Sequence, residues 1–137
     1  MEVTSGILSA PAMSQELLAL PSVLSQLGVA EVEVFFGIGC TGPMDELYKS
    51  AHLVPSAILE WVDDEGQSVG FEISRGDLFV KATDGKVEVL FCHESDIHVE
   101  GSDATAVATF EHRWRGLGFP GYIRQSGEWV SFSHSAP

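Results

Sequence analysis

The chain has 137 residues and carries 20 Asp and Glu residues against 7 Lys and Arg residues, a formal net charge of −13 at pH 7. This charge argues against a nucleic-acid interface and against binding to an anionic membrane, because both require clustered basic side chains. A hydrophobic content of 45% with 20% charged residues is typical of a folded domain and excludes a disordered chain.

The first segment, residues 1–12, is rich in small residues and predicts a flexible N-terminal arm before a single domain at 13–137. It contains no Lys or Arg and has only a short apolar run, which is not typical of a signal peptide. The two cysteines, Cys40 and Cys92, are too few for a disulfide-rich secreted scaffold. We therefore expect a cytoplasmic protein that does not enter a membrane.

A helix is predicted next, with Ser14 as its N-cap and Gly28 as its stop. Its apolar stripe has three- and four-residue spacing and consists of Leu17, Leu20, Leu24 and Leu27. Pro21 interrupts the pattern and predicts a kink or two short helices, because proline lacks an amide hydrogen and clashes with the preceding turn.

A glycine-rich turn follows a predicted strand at 31–36 and precedes a predicted short helix at 43–51. Its Gly-x-Gly-x-x-Gly spacing resembles the dinucleotide-binding fingerprint, in which glycines let the backbone approach a pyrophosphate and a later acid binds the ribose. The alternative is a plain glycine turn without a ligand. The cofactor-binding candidates on this interpretation are Gly37, Gly39, Gly42 and Asp63.

Beyond Pro55 the hydrophobic period changes to two, which predicts a succession of strands. We expect strands at 57–62, 69–73, 78–82, 87–91 and 97–99, with a turn at 63–66. Asp84 and Gly85 predict a type I′ hairpin turn, which needs positive φ at both positions.

The C-terminal part predicts a second helix and a hairpin. Ser102 is the expected N-cap of this helix, and Gly116 and Gly118 end it. The helix is followed by strands at 122–125 and 128–132 around Ser126 and Gly127. The apolar stripe of the helix consists of Val107, Phe110, Trp114 and Leu117.

These elements predict an α+β fold, with a mainly antiparallel sheet of about five to seven strands and two principal helices packed on it. A Gly-x-Ser-x-Gly nucleophile motif and a phosphate-binding Gly-x-x-x-x-Gly-Lys motif are both missing from the sequence. We therefore assign no catalytic residue and no cofactor, and we lean against an enzyme.

Residues 92–100 contain a thiol, two imidazoles and three carboxylates. If 96–100 is extended, alternate side chains share one face and can hold a divalent metal or supply an acid–base pair. The candidate metal ligands are His93, Asp96 and His98. The alternative interpretation is a polar strand end and loop, because the spacing matches no common zinc signature.

Two acidic clusters, one at residues 63–65 and one between residues 94 and 103, suggest a binding surface for a basic protein, provided that they lie on the same side of the fold. Such a surface accelerates association and favours partners of opposite charge. We expect a small acidic binding protein of the immunity or antitoxin type that neutralises or chaperones a basic protein. The alternatives are a nucleotide-binding protein and a metal-dependent enzyme. The partner-binding candidates are Asp63, Asp64, Glu65, Glu94, Asp96, Glu100 and Asp103.

Overall fold

A computed structural model of the protein describes residues 1–42 and 46–132. In these residues three α-helices accompany an eight-stranded antiparallel sheet, which confirms the α+β class with one helix and at least one strand more than expected. No helix in the described residues is long and apolar enough to cross a membrane. The elements are β1 Glu2–Ser5, α1 Ala10–Gln26, β2 Val32–Phe36, β3 Ala51–Leu53, α2 Ile58–Val69, β4 Leu78–Ala82, β5 Glu88–Phe91, β6 Ile97–Glu100, α3 Ala104–Gly116, β7 Gly121–Gln125 and β8 Glu128–Ser131.

The strand order is β3-β2-β4-β5-β6-β1-β7-β8, so the first strand of the chain lies inside the sheet. Val3 is buried and lies opposite Val99 on one side and Ile123 on the other. The backbone amide of Ile97 also donates a hydrogen bond to the hydroxyl of Ser5 at 2.9 Å. The expectation of a flexible arm is therefore wrong for residues 2–5, because β1 is paired along both edges.

Alternation along the strands gives the sheet one buried and one open face. The buried face carries the core, for example Val34 of β2 and Val80 of β4. The helices pack on this side, where the ring of Phe36 stacks on Trp61 of α2 at 4.7 Å. The residues between the core positions point to the opposite side, which we call the open sheet face.

Helix α1 is continuous from Ala10 to Gln26, so the alternative of two short helices around Pro21 is wrong. Buried side chains on both sides of the proline, Leu20 and Val23, hold the two parts of the helix on the same core. The N-cap is Ser9 rather than Ser14, and its hydroxyl accepts a hydrogen bond from the amide of Ala12 at 3.2 Å.

Residues 58–69 form helix α2, which corrects the predicted strand, turn and strand in this region. Ile58 and Val69 are buried, while the acidic residues 63–65 are exposed, as expected for an amphipathic helix. Gly70 ends it with φ 65°. The short helix predicted at 43–51 lies partly outside the described residues; 46–48 form a turn and Ala51 begins β3.

Both predicted hairpins are present. The β4–β5 hairpin pairs Val80 with Val89, but Gly85 and not Asp84 has positive φ, so its turn is not type I′. The β7–β8 turn has positive φ at both Ser126 and Gly127, which matches its sequence. Asp103 rather than Ser102 caps α3, and Leu117 at the end of the predicted stripe is 49% exposed.

Candidate functional site

Three glutamates stand side by side on the open sheet face. Glu100 of β6 lies directly opposite Glu88 of β5 and Glu2 of β1, so the three carboxylates occupy one row across adjacent strands. We call these residues the glutamate row. Like charges at directly opposite positions repel each other and destabilise a sheet. The row is bounded by Lys81 of β4 opposite Glu88, and by Arg124 of β7, whose Nη1 is 3.4 Å from a carboxylate oxygen of Glu2.

A second row of the same face is apolar. Phe35, Phe79 and Leu90 occupy directly opposite positions on β2, β4 and β5, and we call them the apolar row. The rings of Phe35 and Phe79 stack with centroids 4.6 Å apart. The Nζ atom of Lys81 lies 5.3 Å from the centroid of Phe35, within the range of a cation–π interaction.

The two rows border a cavity of about 300 Å³ on the open sheet face. Its lining combines carboxylates with apolar side chains, which suits a ligand that has both a cationic head and an aliphatic part. Burial, together with the charges of Glu2 and Glu88, raises the pKa of Glu100. Side chains bordering the cavity include Glu2, Phe79, Lys81, Glu88, Leu90, His98 and Glu100.

The apolar row leads into a group that we call the Cys92 cluster, made of Asp77, Cys92, His93, Asp96 and His98; His98 lies directly opposite Leu90 of that row. The ligand atoms of Asp77, Cys92 and His93 lie within 4.8 Å of one another, and the same holds for Cys92, Asp96 and His98. Burial raises the pKa of the Cys92 thiol to about 11, and the nearby carboxylates of Asp96 and Asp77 act in the same direction. The thiol therefore stays protonated at neutral pH unless a cation is close to it.

One half of the Cys92 cluster is already internally paired. Asp77 is 4% exposed, and its Oδ1 accepts hydrogen bonds from the backbone amide of His93 at 2.8 Å and from its Nδ1 at 2.7 Å. The hydrogen bond that His93 donates to Asp77 raises the pKa of His93. The Sγ of Cys92 is 3.8 Å from the same Nδ1 atom. A nucleophile relay needs the thiol and the carboxylate at different ring nitrogens, so this is not a catalytic triad.

The other half contains Asp96 and His98, whose Oδ1 and Nε2 are 3.2 Å apart. Burial disfavours ionisation of Asp96, but the interaction with His98 outweighs it and lowers the pKa of Asp96. Oδ1 is buried, and no residue that the structure describes donates a hydrogen bond of good geometry to it. The proximity of Asp96 nevertheless raises the pKa of His98. The sequence-predicted trio is therefore divided: Asp96 and His98 meet at Cys92, whereas His93 pairs with Asp77.

The glycine turn has a packing explanation. A Cβ atom at Gly39 would clash with the carbonyl oxygen of Arg75, and one at Gly42 would clash with the Cα of Val69. Strand β2 pairs antiparallel with both β3 and β4, whereas the dinucleotide fingerprint belongs to a parallel βαβ unit.

Two of the proposed cofactor-binding residues nevertheless meet in space. Gly39 and Asp63 border a cavity of about 510 Å³, whereas Gly37 and Gly42 are outside its lining. Gly37 instead follows β2, and its amide donates to the carbonyl of Asp77 at 3.1 Å. Nucleotide binding stays a prediction. A cavity lies beside the glycine turn, but the described residues do not form the parallel βαβ unit that the motif requires there.

The two acidic clusters of the sequence do not share one side. The first, Asp63 to Glu65, is exposed on α2 and therefore belongs to the helix layer. Glu100 lies on the open sheet face, while Glu94 is in the β5–β6 turn at the other end of β6. The carboxylate of Asp103 accepts the amides of Thr105 and Ala106 at the start of α3.

Sequence reasoning missed Glu2 and Glu88 as neighbours of Glu100. The sequence contained a signal for Glu88, because alternation with the buried Val89 places the side chain of Glu88 on the opposite face of the sheet. Glu2 had no such signal, because its neighbour β6 is far away in the chain.

Comparison with protein-family models, with curated proteins and with solved structures finds no match to this chain.

Proposed function

We propose that the protein binds a basic protein partner through the open sheet face and thereby neutralises or chaperones it, in the manner of an immunity protein or antitoxin. The glutamate row is the observation that supports this proposal. Three carboxylates at directly opposite positions cost folding free energy, and a cationic ligand removes that cost.

The cavity beside the row suits a Lys or Arg side chain from the partner. The aliphatic stem lies against Phe79 and Leu90, while the cationic head reaches Glu88 and Glu100. An arginine head can also form bidentate hydrogen bonds with a carboxylate, which gives geometric specificity. The apolar row extends this contact toward Phe35, so an amphipathic basic segment fits the face better than an isolated ion.

The overall charge supports the same assignment. A net charge of −13 attracts a basic partner over a distance of about one Debye length and raises the rate of encounter. Cys40 and Cys92 are free thiols, which agrees with the expected cytoplasmic location. This location is part of the proposal.

The test is affinity capture from the native source at low and at high salt, followed by purification of the retained basic protein. Association is then measured by stopped-flow fluorescence with the wild type and two variants of equal net charge. The first variant, Glu88→Gln with Glu100→Gln, removes two charges of the glutamate row. The second, Asp63→Asn with Asp64→Asn, removes two exposed charges from α2 and is the matched control.

We expect the row variant to lower the affinity at least about tenfold, and the control to change only the salt-dependent association rate by a small factor. Equal losses in both variants would show that net charge, not the open sheet face, determines binding. Failure to retain any basic protein at either salt concentration would contradict the proposed function itself.

A further inference from the structure

The turn between β5 and β6 brings three metal-ligating side chains together. The amide of Cys92 donates to the carbonyl of Asp96 at 2.9 Å, so these residues extend the ladder beyond the pair of Phe91 and Ile97. His98 follows Asp96 by two residues and therefore lies on the same face. The open sheet face thus carries a thiol, a carboxylate and an imidazole whose ligand atoms are within 4.8 Å of one another.

Thr4 of β1 sets the orientation of the imidazole. The Thr4 hydroxyl donates to the carbonyl of Ile97 at 3.3 Å, and its oxygen also lies 3.3 Å from Nδ1 of His98. While Ile97 holds the hydroxyl hydrogen, Nδ1 of His98 is the donor in this contact, which leaves Nε2 available for a proton or a metal ion. Nε2 of the ring lies on the side of Cys92 and Asp96. A histidine metal ligand held by a hydrogen bond on its other nitrogen has this arrangement.

Nε2 of His98 lies close to an acceptor oxygen. Oδ1 of Asp96 is 3.2 Å away, is buried, and lacks a hydrogen-bond donor among the described residues. Two acceptors at this distance need a positive charge between them, either a proton or a metal ion. Asp77, directly before β4, adds a further negative charge to the surroundings of Cys92.

We propose that Cys92 Sγ, the carboxylate of Asp96 and Nε2 of His98 bind one zinc ion. Thiolate and imidazole ligands favour Zn²⁺ over Mg²⁺ or Ca²⁺, which prefer sites made of oxygen atoms. Three protein ligands leave the fourth tetrahedral position for water or another ligand. On binding, the Zn–S bond replaces the S–H bond of Cys92, and one proton is released to the solvent.

The alternative ligand set, Asp77 with Cys92 and His93, is less suitable. Oδ1 of Asp77 and Nδ1 of His93 are already bound to each other, and zinc would have to break this hydrogen bond. His93 therefore serves as the matched control for His98, since both are histidines beside Cys92. His98 also borders the cavity beside the glutamate row. The zinc titration uses the chain without a partner protein, so its outcome does not depend on the partner-binding proposal.

The experiment titrates the reduced full-length chain with ZnCl₂ by calorimetry in two buffers of different ionisation enthalpy. A parallel titration with Co²⁺ records the thiolate-to-cobalt charge-transfer band, which reports Cys92 directly. The variants are His98→Gln, Asp96→Asn and Thr4→Val, with His93→Gln as control. Circular dichroism checks that each variant is folded, and wild-type chain with its thiols alkylated provides a second test without substitution.

We expect one zinc ion per chain, release of one thiol proton, and a thiolate–cobalt band. His98→Gln and Asp96→Asn should each weaken zinc binding at least about tenfold, and Thr4→Val by about tenfold through loss of ring orientation. His93→Gln should leave the affinity within about twofold. Absence of stoichiometric binding, or loss with His93→Gln but not with His98→Gln, would overturn this assignment.

Discussion

The buried carboxylate of Glu16 accepts a hydrogen bond from the indole Nε1 of Trp114 at 2.8 Å. The same carboxylate accepts from Arg113, with Nε at 3.0 Å and Nη2 at 2.8 Å. Glu16 lies on α1 and is 6% exposed, while Trp114 lies on α3 and is fully buried. The contact therefore joins the two longest helices through a charge that would be costly to bury alone.

Glu16→Ala is expected to lower the free energy of unfolding by about 3 kcal/mol, because it leaves the buried indole without an acceptor and Arg113 without its partner. Urea denaturation followed by Trp fluorescence measures this loss. The control is Glu72→Ala, which removes an exposed ion pair with Arg75 and should cost at most about 0.5 kcal/mol. Equal losses would show that the Glu16 contact has no special role.

Val3→Ala is expected to lower the free energy of unfolding by about 2 kcal/mol, because it removes buried methyl groups from a strand inside the sheet. Val3 is 1% exposed, whereas Ile7, four residues later, is 79% exposed. Ile7→Ala serves as the control and should change stability by less than about 0.5 kcal/mol. Thermal denaturation of both variants distinguishes the inserted strand from a flexible arm, for which both changes would be neutral.

Glu100→Gln is expected to raise the free energy of unfolding at pH 7 by about 0.5 kcal/mol, because it removes the repulsion from Glu2 and Glu88. The gain should shrink in 1 M NaCl, where the charges are screened. Asp64→Asn makes the same charge change on the exposed surface of α2 and is the control. If Glu100→Gln destabilises the protein at low salt, the three carboxylates do not repel each other as the register implies.

Gly39→Ala is expected to destabilise the fold by about 3 kcal/mol, because its φ of 88° is unfavourable for alanine and the added Cβ meets the Arg75 carbonyl. Gly85 has a similar φ of 78°, but nothing lies within 4 Å of its added Cβ. Gly85→Ala should therefore cost only about 1 kcal/mol, the conformational part. Denaturant midpoints of the two variants separate packing from backbone strain, and equal costs would remove the packing explanation of the glycine turn.

Local patterns were sufficient where neighbouring residues decide the structure. Alternation predicted β2, β4, β5 and β6, and Ser126 with Gly127 predicted the last hairpin. The same patterns failed at α2, where Asp63 to Gly66 resembled a turn. A helix forms there because it places Ile58, Trp61 and Val69 on one side, and the stacking of Trp61 on Phe36 stabilises the helix.

The candidate sites were predicted only in part, for the same reason. Asp96 and His98 are two residues apart on an extended segment, so their common face followed from alternation alone. Their partner Cys92 is also close in sequence, on the other strand of a hairpin. Asp77 and Thr4 complete the surroundings from distant segments, and no local signal linked them to this cluster.

By itself, the sequence determined the charge, the α+β class and most of the strands, because composition and periodicity are properties of neighbouring residues. Tertiary structure alone decided that β1 lies between β6 and β7. That placement brings Glu2 beside Glu100 and Thr4 beside His98, through pairings between residues more than 90 positions apart. Pairing of this kind depends on burying Val3 in a shared core. A strand of four residues is too short to show a hydrophobic period in the sequence, so this burial could not be predicted locally.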